Sequence, residues 1–319
     1  MSRSIVLLYS GQGSHYYQMG RELFEHDRTF RACMCDLDSI VQDHGRRSVV
    51  RSLYEEGRSK GDRLDDIETT HPAIFMVELA LTRSLAARGI VPDFVVGASL
   101  GAFVAAVVAG CLSAEAALVA VLQQADAIAS NCGRGGMIAI LESPALFLDP
   151  ALREVSELVA QNFHSHFVVA APDACLDGIE AHLRARNVVS ERLAVGYAFH
   201  SRWIDGAEHA YRRFLEKLRL EHARIPMVCC VQARTLSHLP AGYFWEVARR
   251  QIRFPEAVAL LEESGEHRYI DAGPSGTLAT YLKHILGSGA GSRIRRVLSP
   301  FGRDLKNLET LAGALTGSS

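Results

Sequence analysis

The sequence predicts an α/β protein with a mostly parallel sheet and a second, smaller module inserted into it. Three observations predict it. Short β-branched runs alternate with helical segments in the first part of the chain. One of those runs meets Gly97-Ala98-Ser99-Leu100-Gly101 and passes straight into an Ala/Val-rich helical segment. After the glycine-rich stretch Asn131-Cys132-Gly133-Arg134-Gly135-Gly136 the texture changes, and a β-α-β-α-β pattern fills roughly 60 residues, as a small ferredoxin-like module would.

In order along the chain, residues 4–10 are a short apolar run closed by Gly11-Gln12-Gly13 and predict a buried strand. Residues 16–44 predict polar-faced helix, and the charged stretch 55–68 an exposed loop. Apolar residues at helical spacing predict a helix over 72–87, with Pro72 at its start and Gly89 past its end. A strand at 94–96 and helices at 100–109 and 114–128 follow. In the inserted module, strands are expected at 137–141, 167–171 and 188–195, and helices at 150–161 and 176–186. A charged amphipathic helix over 203–222 and strands at 226–231 and 269–272 return the chain to the first sheet. Three stretches result: a first large part at 1–131, the small module at 132–198, and a second large part at 199–319.

Composition sets the class. A chain of 319 residues exceeds one minimal core and suits a large domain with an insertion, or two domains. Its 48% apolar and 22% charged residues are ordinary globular values, and a net charge of -2 gives no sign of nucleic-acid or membrane binding. The seven cysteines include no set at zinc-like spacing, so no metal is expected and a reduced, cytosolic chain is the simplest account. The N-terminal apolar run is too short for an export signal or a membrane span.

Gly-x-Ser-x-Gly is common by chance, but the strand before it and the helix after it give the context a nucleophile elbow requires. Ser99 would stand on a tight corner at a helix N-terminus, where free N–H groups can meet an oxyanion. A serine needs a base within hydrogen-bond reach. Of thirteen histidines, His200 in Gly196-Tyr197-Ala198-Phe199-His200-Ser201 follows a predicted strand and precedes a helix, a placement typical of catalytic groups.

Five blocks together carry a resemblance: Gly11-Gln12-Gly13-Ser14, Thr70-His71-Pro72-Ala73-Ile74-Phe75, Gly97-Ala98-Ser99-Leu100-Gly101, Ala198-Phe199-His200-Ser201 and Gly273-Pro274-Ser275-Gly276. In order and spacing, from about residue 4 to 305, the chain resembles the malonyl-CoA:acyl-carrier-protein transacylases and polyketide synthase acyltransferase domains. The resemblance implies an α/β-hydrolase-like large subdomain interrupted by a ferredoxin-like one. It implies Ser99 as the nucleophile of an acyl-enzyme, His200 as its base, and the N–H groups of Gln12 and Leu100 as an oxyanion hole. It further matches Asn162 to a cleft-wall asparagine and Gln251 to the segment that orients the histidine. It implies no cofactor.

Three departures shape the expected substrate. Malonyl-type relatives carry an arginine that grips the substrate's free carboxylate, and here the aligned residue is Gln124, with no arginine between Leu100 and Cys132. Ala98 replaces the usual histidine before the nucleophile, and Ala102 the usual glutamate after Gly101. Phe199, by contrast, follows the malonyl-type pattern. The resemblance therefore points to the stand-alone acyl hydrolases of polyketide pathways, which clear monocarboxylic acyl groups from carrier-protein phosphopantetheine. Transfer of an acyl or malonyl group, from CoA or carrier protein, to acyl carrier protein is the alternative, and a silent docking subunit a third. Carrier proteins are acidic, so Arg249, Arg250 and Arg253 are the expected docking residues.

Overall fold

The computed structural model describes residues 3–316. Among them are ten strands: β1 (Ile5–Tyr9), β2 (Phe94–Gly97), β3 (Gly135–Ile140), β4 (Glu157–Phe163), β5 (His166–Pro172), β6 (Ser190–Arg192), β7 (Met227–Cys229), β8 (Arg234–Leu236), β9 (Arg268–Asp271) and β10 (Ile294–Arg296). Six make a large sheet in the order β10-β9-β1-β2-β7-β8, parallel throughout except at the edge strand β8. The other four make an antiparallel sheet ordered β4-β5-β3-β6. The α/β class with a second, smaller sheet is thus the observed one.

The central strands are apolar because both faces of the large sheet are covered. On β1, Leu7 and Tyr9 join one buried cluster while Val6 and Leu8 join the other. Helices Ile67–Ala86 and Gly101–Ala109 cover the first face, and helices Phe254–Glu263 and Thr277–Leu286 the second. Ile67–Ala86 buries 16 of its 20 residues, which makes it the central helix of that layer. No helix among the described residues is long and apolar enough to cross a membrane.

Several expected elements need correction. The helix expected from Pro72 begins five residues earlier, capped by Asp66, so Pro72 lies inside it and the charged run 55–68 already contains its first residues. Residues 16–44 form two helices, Arg21–His26 and Arg28–Asp43, parted at Asp27, whose carboxylate caps the second. The helix expected at 150–161 stops at Arg153, and from Glu157 the chain is β4, which turns back through His164-Ser165 to pair with β5. Asp149 and Pro150 are sound helix-start signals, but the pairing available to the run Leu158–Phe163 outweighs helix propagation. The small module is therefore β-α-β-β-α-β. The amphipathic helix expected at 203–222 is a 3-10 turn, Arg202–Ala207, followed by a short helix, Glu208–Leu215.

Candidate active site

Three loops leave the carboxyl ends of neighbouring parallel strands and meet: Ser10–Ser14 after β1, Ala98–Leu100 after β2, and the turn at Gly273 after β9. Such ends are where open α/β sheets place their ligands. The elbow forms because its glycines allow it. A Cβ on Gly101 would lie 2.2 Å from the carbonyl oxygen of Tyr9, so only glycine lets the helix start against β1. At the corner Ser99 has φ +53°, the left-handed region that a non-glycine residue occupies only when its surroundings enforce it.

Ser99 Oγ donates to His200 Nε2 at 2.8 Å. The other ring nitrogen, Nδ1, lies 2.9 Å from the carbonyl oxygen of Arg250. A carbonyl can only accept, so Nδ1 carries the proton and Nε2 is left bare to take one from Ser99. His200 itself has φ +63° and is anchored by its N–H to the carbonyl of Ala248. Burial, with the nearby Arg249 cation adding to it, lowers the imidazole to about 4. At neutral pH the ring is therefore an uncharged base.

Gly11 closes the site from the β1 side: a Cβ there would sit 3.1 Å from both Leu100 N and Ser99 Oγ. The N–H groups of Gln12 and Leu100 donate to no other group among the described residues, as an oxyanion hole requires. The Gln12 side chain turns the other way and donates to Thr70 Oγ1 at 2.8 Å. Around Ser99 and His200 a cleft opens between the two sheets. Asn162, Met137, Phe199, Ile252 and Tyr281 are among its walls, and no arginine or lysine is among its described lining residues.

Asn162 and Phe199 thus face the cleft with Ser99, His200 and Gln12. Asn162 donates to His166 Nδ1 at 3.0 Å, and the Phe199 ring lies 5.4 Å from that of His71. Three other expectations change. Gln124 is buried in helix Ala114–Asn131 and is not among the described residues that line the cleft, and the Tyr211 hydroxyl donates to the Ala120 carbonyl of the same helix at 3.1 Å. Gln251 is exposed, and the imidazole is oriented by the Arg250 carbonyl one residue earlier. The three arginines do not form a free basic patch: Arg249 pairs with Asp205, Arg250 with Glu246 at 2.9 Å, and Arg253 with Glu256 at 3.1 Å.

One contributor escaped the sequence, and a second was matched only as a segment. Tyr281 reaches the cleft from helix Thr277–Leu286, which no local motif marks. The segment 250–253 forms a strap between the sheets. Arg250 holds the imidazole, Ile252 N–H bonds the Val159 carbonyl of β4 at 2.9 Å, and Arg253 N–H bonds the Cys230 carbonyl at 2.7 Å. Gln251 drew notice to the right stretch, but main-chain atoms do the holding.

Comparison with known proteins gives the chain's relatives. Residues 6–317 match the acyl transferase domain family. The chain is 42% identical over 316 residues to the polyketide biosynthesis acyltransferase homolog BaeD of Bacillus velezensis, covering 99% of this chain and 98% of that one. It is 39% identical to the homolog PksD of Bacillus subtilis, with 98% and 96% covered. The acyltransferase domain from the second module of the salinomycin polyketide synthase superposes with a TM-score of 0.84 at 26% identity, over 99% of this chain and 74% of that one.

Proposed function

The chain belongs to the acyl transferase domain family, and within it we propose an acyl-thioester hydrolase that removes monocarboxylic acyl groups from carrier-protein phosphopantetheine. The observation that carries this reading is the cleft's charge. With no arginine or lysine among its described lining residues, a malonyl carboxylate would enter without a partner, which costs several kcal/mol. The neutral amide of Gln124 supplies no cation.

His200 Nε2 takes the Ser99 proton as Oγ attacks the thioester carbonyl, and the oxyanion meets the N–H groups of Gln12 and Leu100. The imidazolium then protonates the departing pantetheine sulfur, leaving acyl-Ser99. Water attacks the ester, giving its proton to Nε2, and the same proton returns to Ser99 Oγ as the carboxylic acid leaves. Asn162 and Phe199 line the acyl or pantetheine path. The residual charge of Arg249, Arg250 and Arg253 guides an acidic carrier protein to the rim. All seven cysteines are free, which supports a reducing, cytosolic setting.

A second reading, transfer to another carrier's thiol, uses the same acyl-enzyme and is favoured by the acyltransferase names of the relatives. One experiment separates the readings. Acetyl-, longer acyl- and malonyl-carrier proteins are incubated with enzyme, with and without a second, holo carrier protein whose phosphopantetheine thiol is free, and the acyl group is followed. Release of free acetate or longer acids in preference to malonate supports hydrolysis. Accumulation on the second carrier supports transfer, and efficient malonyl loading overturns the monocarboxylic reading. No acyl mass on the protein with any substrate would indicate a silent docking subunit.

A further inference from the structure

Beneath the Ser10–Ser14 loop lies a carboxyl group that the acyl-transfer steps do not use. Glu78, on the central helix Ile67–Ala86, is fully buried. Its Oε1 accepts from the Ser10 N–H at 2.7 Å and from Ser10 Oγ at 3.0 Å, while Oε2 has no hydrogen-bond partner. Ser10 Oγ lies 3.0 Å from Ser14 Oγ, and Ser14 Oγ donates to the Gly11 carbonyl at 2.7 Å. The carboxyl thereby grips the first residue of a loop whose third residue carries the free Gln12 N–H. The loop's far side is fixed as well, since a Cβ on Gly273 would lie 2.3 Å from Ser10 Oγ.

We propose that Glu78 is a positioning residue for acyl transfer: its carboxyl clamps the Ser10 end of the loop and so aims the Gln12 N–H at the thioester oxygen. This rests on the acyl-serine reading given above. The alternative, a carboxyl that merely fills the core, accounts poorly for the geometry. A buried carboxyl with one unpartnered oxygen is costly, and an apolar side chain of the same size would fill that space better. The group that does face it, Asp271, is itself a buried acid bonded to the Gly273 and Ala279 N–H groups. Burial and this like-charged neighbour push the Glu78 carboxyl well above its usual range. Oε1 takes both Ser10 bonds whether or not Oε2 carries a proton.

The test measures acyl-Ser99 formation by intact mass under single-turnover conditions, together with kcat, KM and melting temperature. Glu78→Gln keeps the acceptor oxygen and should acylate within about threefold of wild type. Glu78→Asp withdraws the acceptor by one methylene and should acylate at least about tenfold more slowly, with KM unchanged, because an oxyanion donor acts in the transition state. Ser10→Ala deletes one of the two bonds and should fall between them; it decides the matter if Glu78→Asp does not fold. Wild-type rates in Glu78→Asp and Ser10→Ala, or equal loss in Glu78→Gln and Glu78→Asp, would overturn the assignment. Absence of acylation in wild type would instead overturn the acyl-serine reading.

Discussion

Ser99 and His200 are placed by two unlike devices. The elbow that holds Ser99 is contained in five consecutive residues, and its strain is enforced by a glycine pressed against β1. The support of His200 comes from main-chain carbonyls 48 and 50 residues further on, those of Ala248 and Arg250. The first device is a local code, and the second exists only once the chain has folded. Any side chain may stand at position 250 and still offer its carbonyl, so the base's support leaves no mark in residue type.

The sharpest way to break this comparison is to delete each partner. Ser99→Ala should abolish the acyl-enzyme, whereas His200→Ala should leave slow turnover, down by roughly 10²–10⁴-fold. Acylation of Ser99→Ala at the wild-type rate, read by intact mass, would remove Ser99 as nucleophile.

Gln124→Arg tests whether the helix Ala114–Asn131 still governs acyl choice. The cation would sit beside Tyr211 and apolar groups, lowering the melting temperature and hydrolysis of acetyl and longer chains. The malonyl-to-acetyl ratio of kcat/KM should rise by about tenfold, equivalent to about 1.4 kcal/mol of pairing. An unchanged ratio would mean that position 124 has no part in substrate choice.

A smaller effect concerns pH. Burial lowers His200 to about 4, so if it is the base, acylation should hold steady through pH 6.5 and fall only as pH approaches that lower value. Over the same window the folded His200 binds fewer protons than the unfolded one, so its own contribution to stability declines on acidification. An acid limb centred near 6.5 in kcat/KM would show that the working imidazole is solvated. Smallest of all, Arg250→Glu with Arg253→Glu should raise KM for acyl-carrier protein by about threefold and leave small thioesters alone, since both arginines already have carboxylate partners. An equal rise for both substrates would take these arginines out of docking.

Much of the fold was legible where the chain repeats a simple period. The strands around β1, β2 and β5, the helices after them, and the elbow follow from apolar runs and glycine punctuation. What was not legible depends on partners distant in sequence. Strand β4 begins just after a well-capped helical turn, and only its pairing with β5 makes it a strand. The helix Ile67–Ala86 starts in a charged run that looks like loop until the rest of the molecule buries it. At the site, Ser99 and His200 stood out because motifs surround them. Glu78 did not, since one acid in an apolar helix says nothing until Ser10 is seen beside it.

The strap at 250–253 has a mechanical consequence. Its Ile252 rides on β4 of the small sheet while its Arg250 carbonyl tethers the imidazole above the large one. Tilting the small sheet would therefore drag the tether, lengthen the Nδ1–H···O bond and let the ring swing off the serine. Cleft width and readiness of the base become one variable.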